Sequence, residues 1–248
     1  MTEQAGSAGS ATPSGDWPKP RGVILDKDGT LFHFAASWNA WTVRVIGLLA
    51  EGDDAQSARI AGRLQFDLGR GCFHDDSPVI AGTLAEIAEL LAPVIPDRDA
   101  AALEAFLEAE AATARMVPAT DLDAFCGAMA DRGIALGLAT NDSEAAARAH
   151  LDRAGILHRF AFVAGYDSGH GAKPGPGPLL AGARALGLDP GQVLMVGDSL
   201  HDMAAGHAAG MRTVAVLTGP ARAPELGPHA HRVLDDIGAL ARWIDSLG

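Results

Sequence analysis

One unit recurs along the chain: a short apolar run, a few polar residues, then a helix-forming stretch that stops at a glycine. The apolar runs are Val23 to Leu25, Ile134 to Ala139, Phe160 to Ala164, Val193 to Val196 and Thr213 to Leu217. Runs of this length bounded by turn residues predict buried strands. The stretches 121–132, 143–154, 178–186 and 202–209 predict helices, and Gly133, Gly155, Gly187 and Gly210 follow them as stops. A terminal helix is predicted over 235–247. Strand and helix in alternation predict a parallel sheet with helices on both faces.

The alternation is interrupted once. After the first strand, residues 33–117 read as almost wholly helical. Ser37 is placed to cap a helix whose apolar face carries Trp38, Trp41, Val45 and Leu48, with Gly52 as its stop. A second helical pattern runs over 55–68. Thr83-Leu84-Ala85-Glu86 matches a capping box, and the Ala- and Glu-rich stretch 99–115 is a strong helix former. The expected organisation is a disordered tail over 1–20, a core made of 21–32 and 118–248, and an inserted helical cap domain over 33–117.

Composition removes several classes of function. Lysine plus arginine total 19 against 31 aspartate plus glutamate, a net charge of −12. So acidic a surface argues against nucleic acid or an anionic membrane as partner. Cys72 and Cys126 are far apart and in no metal-ligand spacing, so two buried free thiols in a reducing compartment are expected. No stretch reaches the length of a membrane span. Residues 1–20 lack the basic start and apolar core of a secretory signal. A cytoplasmic protein is the expectation.

The chemistry gathers after the strands. Asp26-Lys27-Asp28-Gly29-Thr30 follows the first, Thr140-Asn141-Asp142 the second, and Gly197-Asp198-Ser199-Leu200-His201-Asp202 the fourth. Lys173-Pro174 lies in the loop 165–177 after the third, and lysine occurs otherwise only at 19 and 27. Taken singly, Asp28-Gly29 is a turn, Thr140 or Asn141 a helix cap, Lys173 a surface residue, and Asp198 with Asp202 a helix start. In a parallel sheet, however, all these strand ends face one way, where open α/β sheets place their ligands. Acids, a hydroxyl and a rare lysine converging on one edge is hard to reconcile with chance.

As a set, these four segments resemble the motifs of the haloacid dehalogenase-like superfamily, and most closely its phosphoglycolate phosphatase-like branch with a helical cap. The resemblance implies an α/β fold: a three-layer Rossmann-like parallel sheet core with an inserted all-helical cap domain. It also implies a Mg²⁺-dependent phosphatase acting on a small phosphorylated metabolite, phosphoglycolate first, as a monomer or homodimer. Asp26 would be the nucleophile that carries an aspartyl-phosphate. Asp28 would protonate the leaving alcohol and then take a proton from water, a role that calls for a raised pKa. Thr140, Asn141 and Lys173 would hold the phosphoryl oxygens. Mg²⁺ would be held by the Asp26 and Asp198 side chains and the Asp28 carbonyl, with Asp202 supporting.

Other branches fit less well. Asp28 argues against a dehalogenase, and the absence of lysine from 33–117 argues against a Schiff-base phosphonoacetaldehyde hydrolase. A phosphohexomutase and a non-catalytic binding or regulatory protein stay open as alternatives. Arg70 and His74, in the polar loop 69–78, are the candidates for meeting an anionic group of the substrate. Lys27 either tunes the local field or lies on the surface. His201 is a weaker candidate for a water-bridged role. Trp38 and Trp41 are expected to pack inside the cap.

Overall fold

The computed structural model describes residues 18–247. Most of the expected tail thus lies outside the described residues. Its last part is held in place: Pro20 is buried, and the Pro18 carbonyl accepts a hydrogen bond from Arg212 at 2.7 Å.

The chain opens with β1 (Gly22–Leu25) and passes into α1 (Phe34–Ala50), α2 (Asp54–Leu64), β2 (Phe66–Asp67), β3 (Cys72–Phe73), α3 (Leu84–Leu91) and α4 (Ala100–Ala112). It continues through α5 (Leu122–Asp131), β4 (Ala135–Ala139), α6 (Glu144–Arg153), β5 (Phe160–Ala164), α7 (Gly177–Ala185) and β6 (Val193–Gly197). It closes with α8 (Leu200–Ala208), β7 (Arg212–Val216), α9 (Ala223–Leu226), β8 (Arg232–Leu234) and α10 (Leu240–Asp245).

Six strands form one sheet in the order β5-β4-β1-β6-β7-β8, and every pairing is parallel. β1 is central. Every residue of β1 and β6 is buried, as expected for a parallel sheet covered on both faces. One face packs on a cluster that includes Phe125, Met129, Leu151 and Ile244, the other on Leu179, Ala183, Ala205 and Met211.

Residues 34–114 bury a separate cluster around Trp38, Trp41, Ile46, Leu91, Leu103 and Leu107. The chain leaves the sheet and returns to it side by side. Ala119 N–H donates to Leu31 O at 2.9 Å, and His33 N–H donates to Val117 O at 2.8 Å.

Several local expectations need correction. The insert is not all helical: β2 and β3 form a two-stranded antiparallel hairpin inside it. The helical pattern 55–68 breaks after Leu64, and Phe66 pairs instead with Phe73 from the polar loop 69–78, their rings meeting edge to face at 4.9 Å. α1 begins three residues before Ser37, whose hydroxyl instead accepts from Val117 N–H at 3.0 Å. Cys126 is buried, but Cys72 is only half-buried. The short edge strand β8 lies beyond the last predicted strand.

Candidate active site

β1 delivers Asp26 to the carboxyl edge of the sheet, where its N–H donates to Val196 O at 2.9 Å. The chain then turns hard. Lys27 O accepts from the N–H groups of Leu31 and Phe32 at 3.0 and 3.1 Å. The turn needs Gly29, which sits at φ +85° with the Asp198 carboxylate against it; a Cβ there would lie 2.2 Å from Asp198 Oδ2. From β4 comes Thr140, its N–H bonded to Ala164 O at 3.0 Å. From β6 comes Asp198. Ser199 caps α8, and Asp202 completes the capping box from the first turn.

Lys173 reaches this edge from the loop after β5. Its Nζ donates to Asp26 Oδ1 and to Asp202 Oδ1, each at 2.6 Å, with all three side chains buried. The loop is tied down rather than loose. Asn141 accepts from Lys173 N–H at 2.9 Å and donates to the carbonyls of Lys173 and Ala81 at 2.8 and 2.9 Å. The Asn141 side chain is therefore committed to holding the loop. Only its main-chain N–H stays available for a ligand, and like those of Lys27 and Asp28 it takes no acceptor among the described residues.

Asp26, Asp198 and Asp202 bring ligand oxygens within 4.8 Å of one another. Burial, and then the charges of Asp202 and Asp28, push the Asp26 carboxyl up to about 7 against the pull of Lys173. Burial and the neighbouring Asp26 and Asp202 also raise Asp198 well above the usual carboxylate range. Burial alone would lower Lys173, but the Asp202 and Asp26 carboxylates outweigh it and hold the ammonium above its ordinary range. Three buried carboxylates thus face one ammonium. That donor set is hard, anionic and short of positive charge, and it fits a divalent cation such as Mg²⁺. Asp202 is the least suited of the three as a ligand. Its Oδ1 takes Lys173 and its Oδ2 takes the Ser199 N–H and hydroxyl at 3.0 and 2.7 Å.

A cavity of about 80 Å³ opens over these groups, lined by Asp26, Asp28, Thr140, Lys173 and Asp198. Its far wall comes from the insert, with Phe34, Trp38, Trp41, Phe73 and Ile80 among the lining residues. Trp38 and Trp41 therefore serve both the insert's core and the cavity wall. Arg70 and His74 are exposed, and neither lines the cavity. The hairpin turns them to solvent and contributes Phe73 instead. His201 does line it.

Lys27 is the largest departure from expectation. Its side chain is 0% exposed. Nζ donates to Asp28 Oδ1 at 3.1 Å, Asp142 Oδ2 at 2.7 Å and His150 Nδ1 at 2.9 Å, lies 2.9 Å from Asp28 Oδ2, and is 5.2 Å from the Trp38 ring centroid. Burial and then Lys27 lower the His150 pKa to about 3, so its ring is neutral. The Ala111 carbonyl, 2.9 Å from Nε2, can only accept, so Nε2 carries the proton and Nδ1 accepts from Lys27. Asp142 lies in a segment singled out from the sequence but with no role assigned, and His150, Gly219 and Thr218 carry no signal there. Thr218 donates to Gly29 O at 2.5 Å, and a Cβ on Gly219 would lie 1.7 Å from Asp198 Oδ2. The glycine is what leaves room for that carboxylate.

A family model described as haloacid dehalogenase-like hydrolase matches residues 20–210. The chain is 35% identical over 240 residues to a phosphoglycolate phosphatase of Rhodospirillum rubrum, covering 91% of each. It is 32% identical over 207 residues to one of Xylella fastidiosa, covering 81% of each. Among solved structures, a predicted phosphoglycolate phosphatase from Haemophilus somnus superposes with a TM-score of 0.67 at 19% identity, over 93% of this chain and 99% of that one. A beta-phosphoglucomutase from Clostridium difficile gives 0.62 at 16%, over 92% and 96%. At such identities these two share the fold and nothing narrower. With a family model spanning most of its length and extended relatives above 30% identity, the chain belongs to the haloacid dehalogenase-like hydrolases.

Proposed function

We propose that this protein is a Mg²⁺-dependent phosphatase of small phosphate monoesters, with phosphoglycolate as the first candidate substrate. The observation that carries the reading is the Asp26 carboxylate. It stands at the floor of the cavity, held by Lys173 at 2.6 Å, with Asp28, Thr140 and Asp198 around it. The substrate choice follows the names of the relatives with extended identity.

In this reading Asp26 attacks phosphorus and the bond to the leaving oxygen breaks. Asp28 gives that oxygen a proton, so an alcohol departs and an aspartyl-phosphate stays on Asp26. Water then attacks the phosphorus. Asp28 takes its proton, phosphate leaves, and both carboxyl groups return to their starting states. The Thr140 hydroxyl, Lys173 and the main-chain N–H groups of Lys27, Asp28 and Asn141 orient the phosphoryl oxygens. Asp202 keeps Lys173 aimed at Asp26. Asp26, Asp198 and the Asp28 carbonyl would hold Mg²⁺, which supplies charge neutralisation for a dianionic ester meeting a carboxylate. Residues 33–117 act as a cap domain that closes the cavity and excludes water, and residues 21–32 with 118–247 act as the catalytic core.

A panel of phosphate monoesters, assayed with Mg²⁺ and with EDTA, tests this. Release should fall at least about 100-fold in EDTA and return when Mg²⁺ is restored. Release that persists unchanged in EDTA would overturn the metal requirement, and isomerisation of a sugar phosphate without release would indicate a mutase.

Gly219→Ala tests the Asp198 site separately. The added methyl must push the Asp198 carboxylate aside, while the glycine's backbone is ordinary. Mg²⁺ affinity by calorimetry should weaken about 10- to 100-fold with little change in the thermal midpoint without metal. Unchanged affinity would exclude Asp198 as a ligand.

A further inference from the structure

We propose that Lys27 and Trp38 together clamp the Asp28 carboxylate, and that proton transfer to the leaving group depends on this clamp. The inference rests on the phosphatase reading above. Lys27 does not line the cavity, so it acts through Asp28 and is a positioning residue. From the sheet edge its ammonium donates to Asp28 Oδ1 at 3.1 Å and lies 2.9 Å from Oδ2. From the insert, the Trp38 indole N–H donates to Asp28 Oδ1 at 2.8 Å. Both donors converge on Oδ1 while the ammonium also flanks Oδ2, so the carboxylate is held from opposite parts of the molecule.

The clamp is itself anchored. An ammonium has three donors, and Lys27 directs them to Asp28, Asp142 and His150. Asp142 Oδ1 accepts from Ser143 N–H at 2.8 Å, which ties it to the start of α6. His150, on α6, donates to Ala111 O on α4 at 2.9 Å. The network therefore runs from the nucleophile turn through α6 into the insert. Burying a lysine with two carboxylates costs several kcal/mol of desolvation that an apolar residue would avoid. An apolar side chain would serve the sheet equally well after β1. What it could not do is hold a carboxylate steady while that group loses and regains a proton. When Asp28 gives its proton to the bridging oxygen, the carboxylate left behind stays paired with Lys27, ready to accept a proton from the attacking water.

A structural role and a positioning role differ in how they depend on the leaving group. An alkyl phosphate needs its oxygen protonated as the bond breaks. p-Nitrophenyl phosphate releases a stabilised phenolate and needs little help. Lys27→Met should lower kcat about 100-fold on an alkyl phosphate and less than about fivefold on p-nitrophenyl phosphate, with inhibition by inorganic phosphate unchanged. Trp38→Phe keeps the ring in the insert's core and removes only the donor. It should shift the same ratio in the same direction by about tenfold, and it decides the matter if Lys27→Met does not fold. Equal losses on the two esters in the folded variants would overturn the clamp while leaving the phosphatase reading intact. Absence of release from either ester by the parent protein would overturn that reading itself.

Discussion

Asp26→Asn should abolish turnover while making the metal-free protein more stable at neutral and alkaline pH. The amide cannot attack phosphorus, so phosphate release should fall by at least ~10⁴-fold, the scale seen when a nucleophile is removed. The stability gain follows from the sign of the pKa shift. In the folded protein Asp26 titrates at about 7, against 3.8 for the free group. Between those values the folded state binds more protons than the unfolded one. Stability therefore falls as pH rises from about 4 to about 7 and levels off above that. Removing the charge returns roughly 2–4 kcal/mol at pH 8 and at most about 1 kcal/mol at pH 4.5. Thermal unfolding at the two pH values, with EDTA, should show a much larger rise in midpoint for the variant at pH 8 than at pH 4.5. Saturating Mg²⁺ should narrow that gap, because a cation bound by the carboxylates stabilises the parent more. A variant less stable than the parent at pH 8 would show that the three carboxylates are better compensated than their geometry indicates.

Lys173→Met should have the opposite effect on stability and a comparable effect on activity. The ammonium is the counter-charge that touches both Asp26 and Asp202. Deleting it leaves Asp26, Asp198 and Asp202 buried together with no cation in contact. Losing one partner of a buried ion pair costs about 3–5 kcal/mol, far more than the pair itself contributes over an apolar substitute. Denaturant unfolding at pH 8 without metal should register that loss. It should shrink at acid pH as the carboxylates take up protons, and Mg²⁺ should restore part of it. kcat/KM should drop about 10³-fold, since Lys173 both aims Asp26 and neutralises the incoming phosphoryl group. A stable variant with half the parent's activity would remove Lys173 from the site.

Both predictions concern residues that the sequence alone singles out. Asp26, Asp28, Thr140, Lys173, Asp198 and Asp202 could be singled out because each follows a strand, and strands in a parallel sheet point their carboxyl ends the same way. The same pattern predicts an insert between residues 32 and 118, and Phe32 and Pro118 lie side by side in an antiparallel bridge. Asn141 stands at the edge as expected, and its side chain ties down the Lys173 loop. Nothing in the tripeptide Thr140-Asn141-Asp142 shows that the amide binds the Lys173 loop rather than a ligand. Arg70 and His74 stand out by charge and loop composition, which do not report direction. The hairpin turns them outward and leaves an apolar cavity wall in their place.

Local pattern suffices for what is periodic or adjacent: strand and helix order, the parallel sheet, the edge where chemistry gathers and the residues immediately after each strand. The environment of a side chain is not local. Lys27 meets Asp142 and His150, which lie 115 and 123 positions away along the chain. Gly219 makes room for a carboxylate from another strand end. Such contacts form only when distant segments pack. They decide whether a lysine beside the nucleophile is solvated or buried, and a chain of pairings like this one leaves no period or spacing from which to read it.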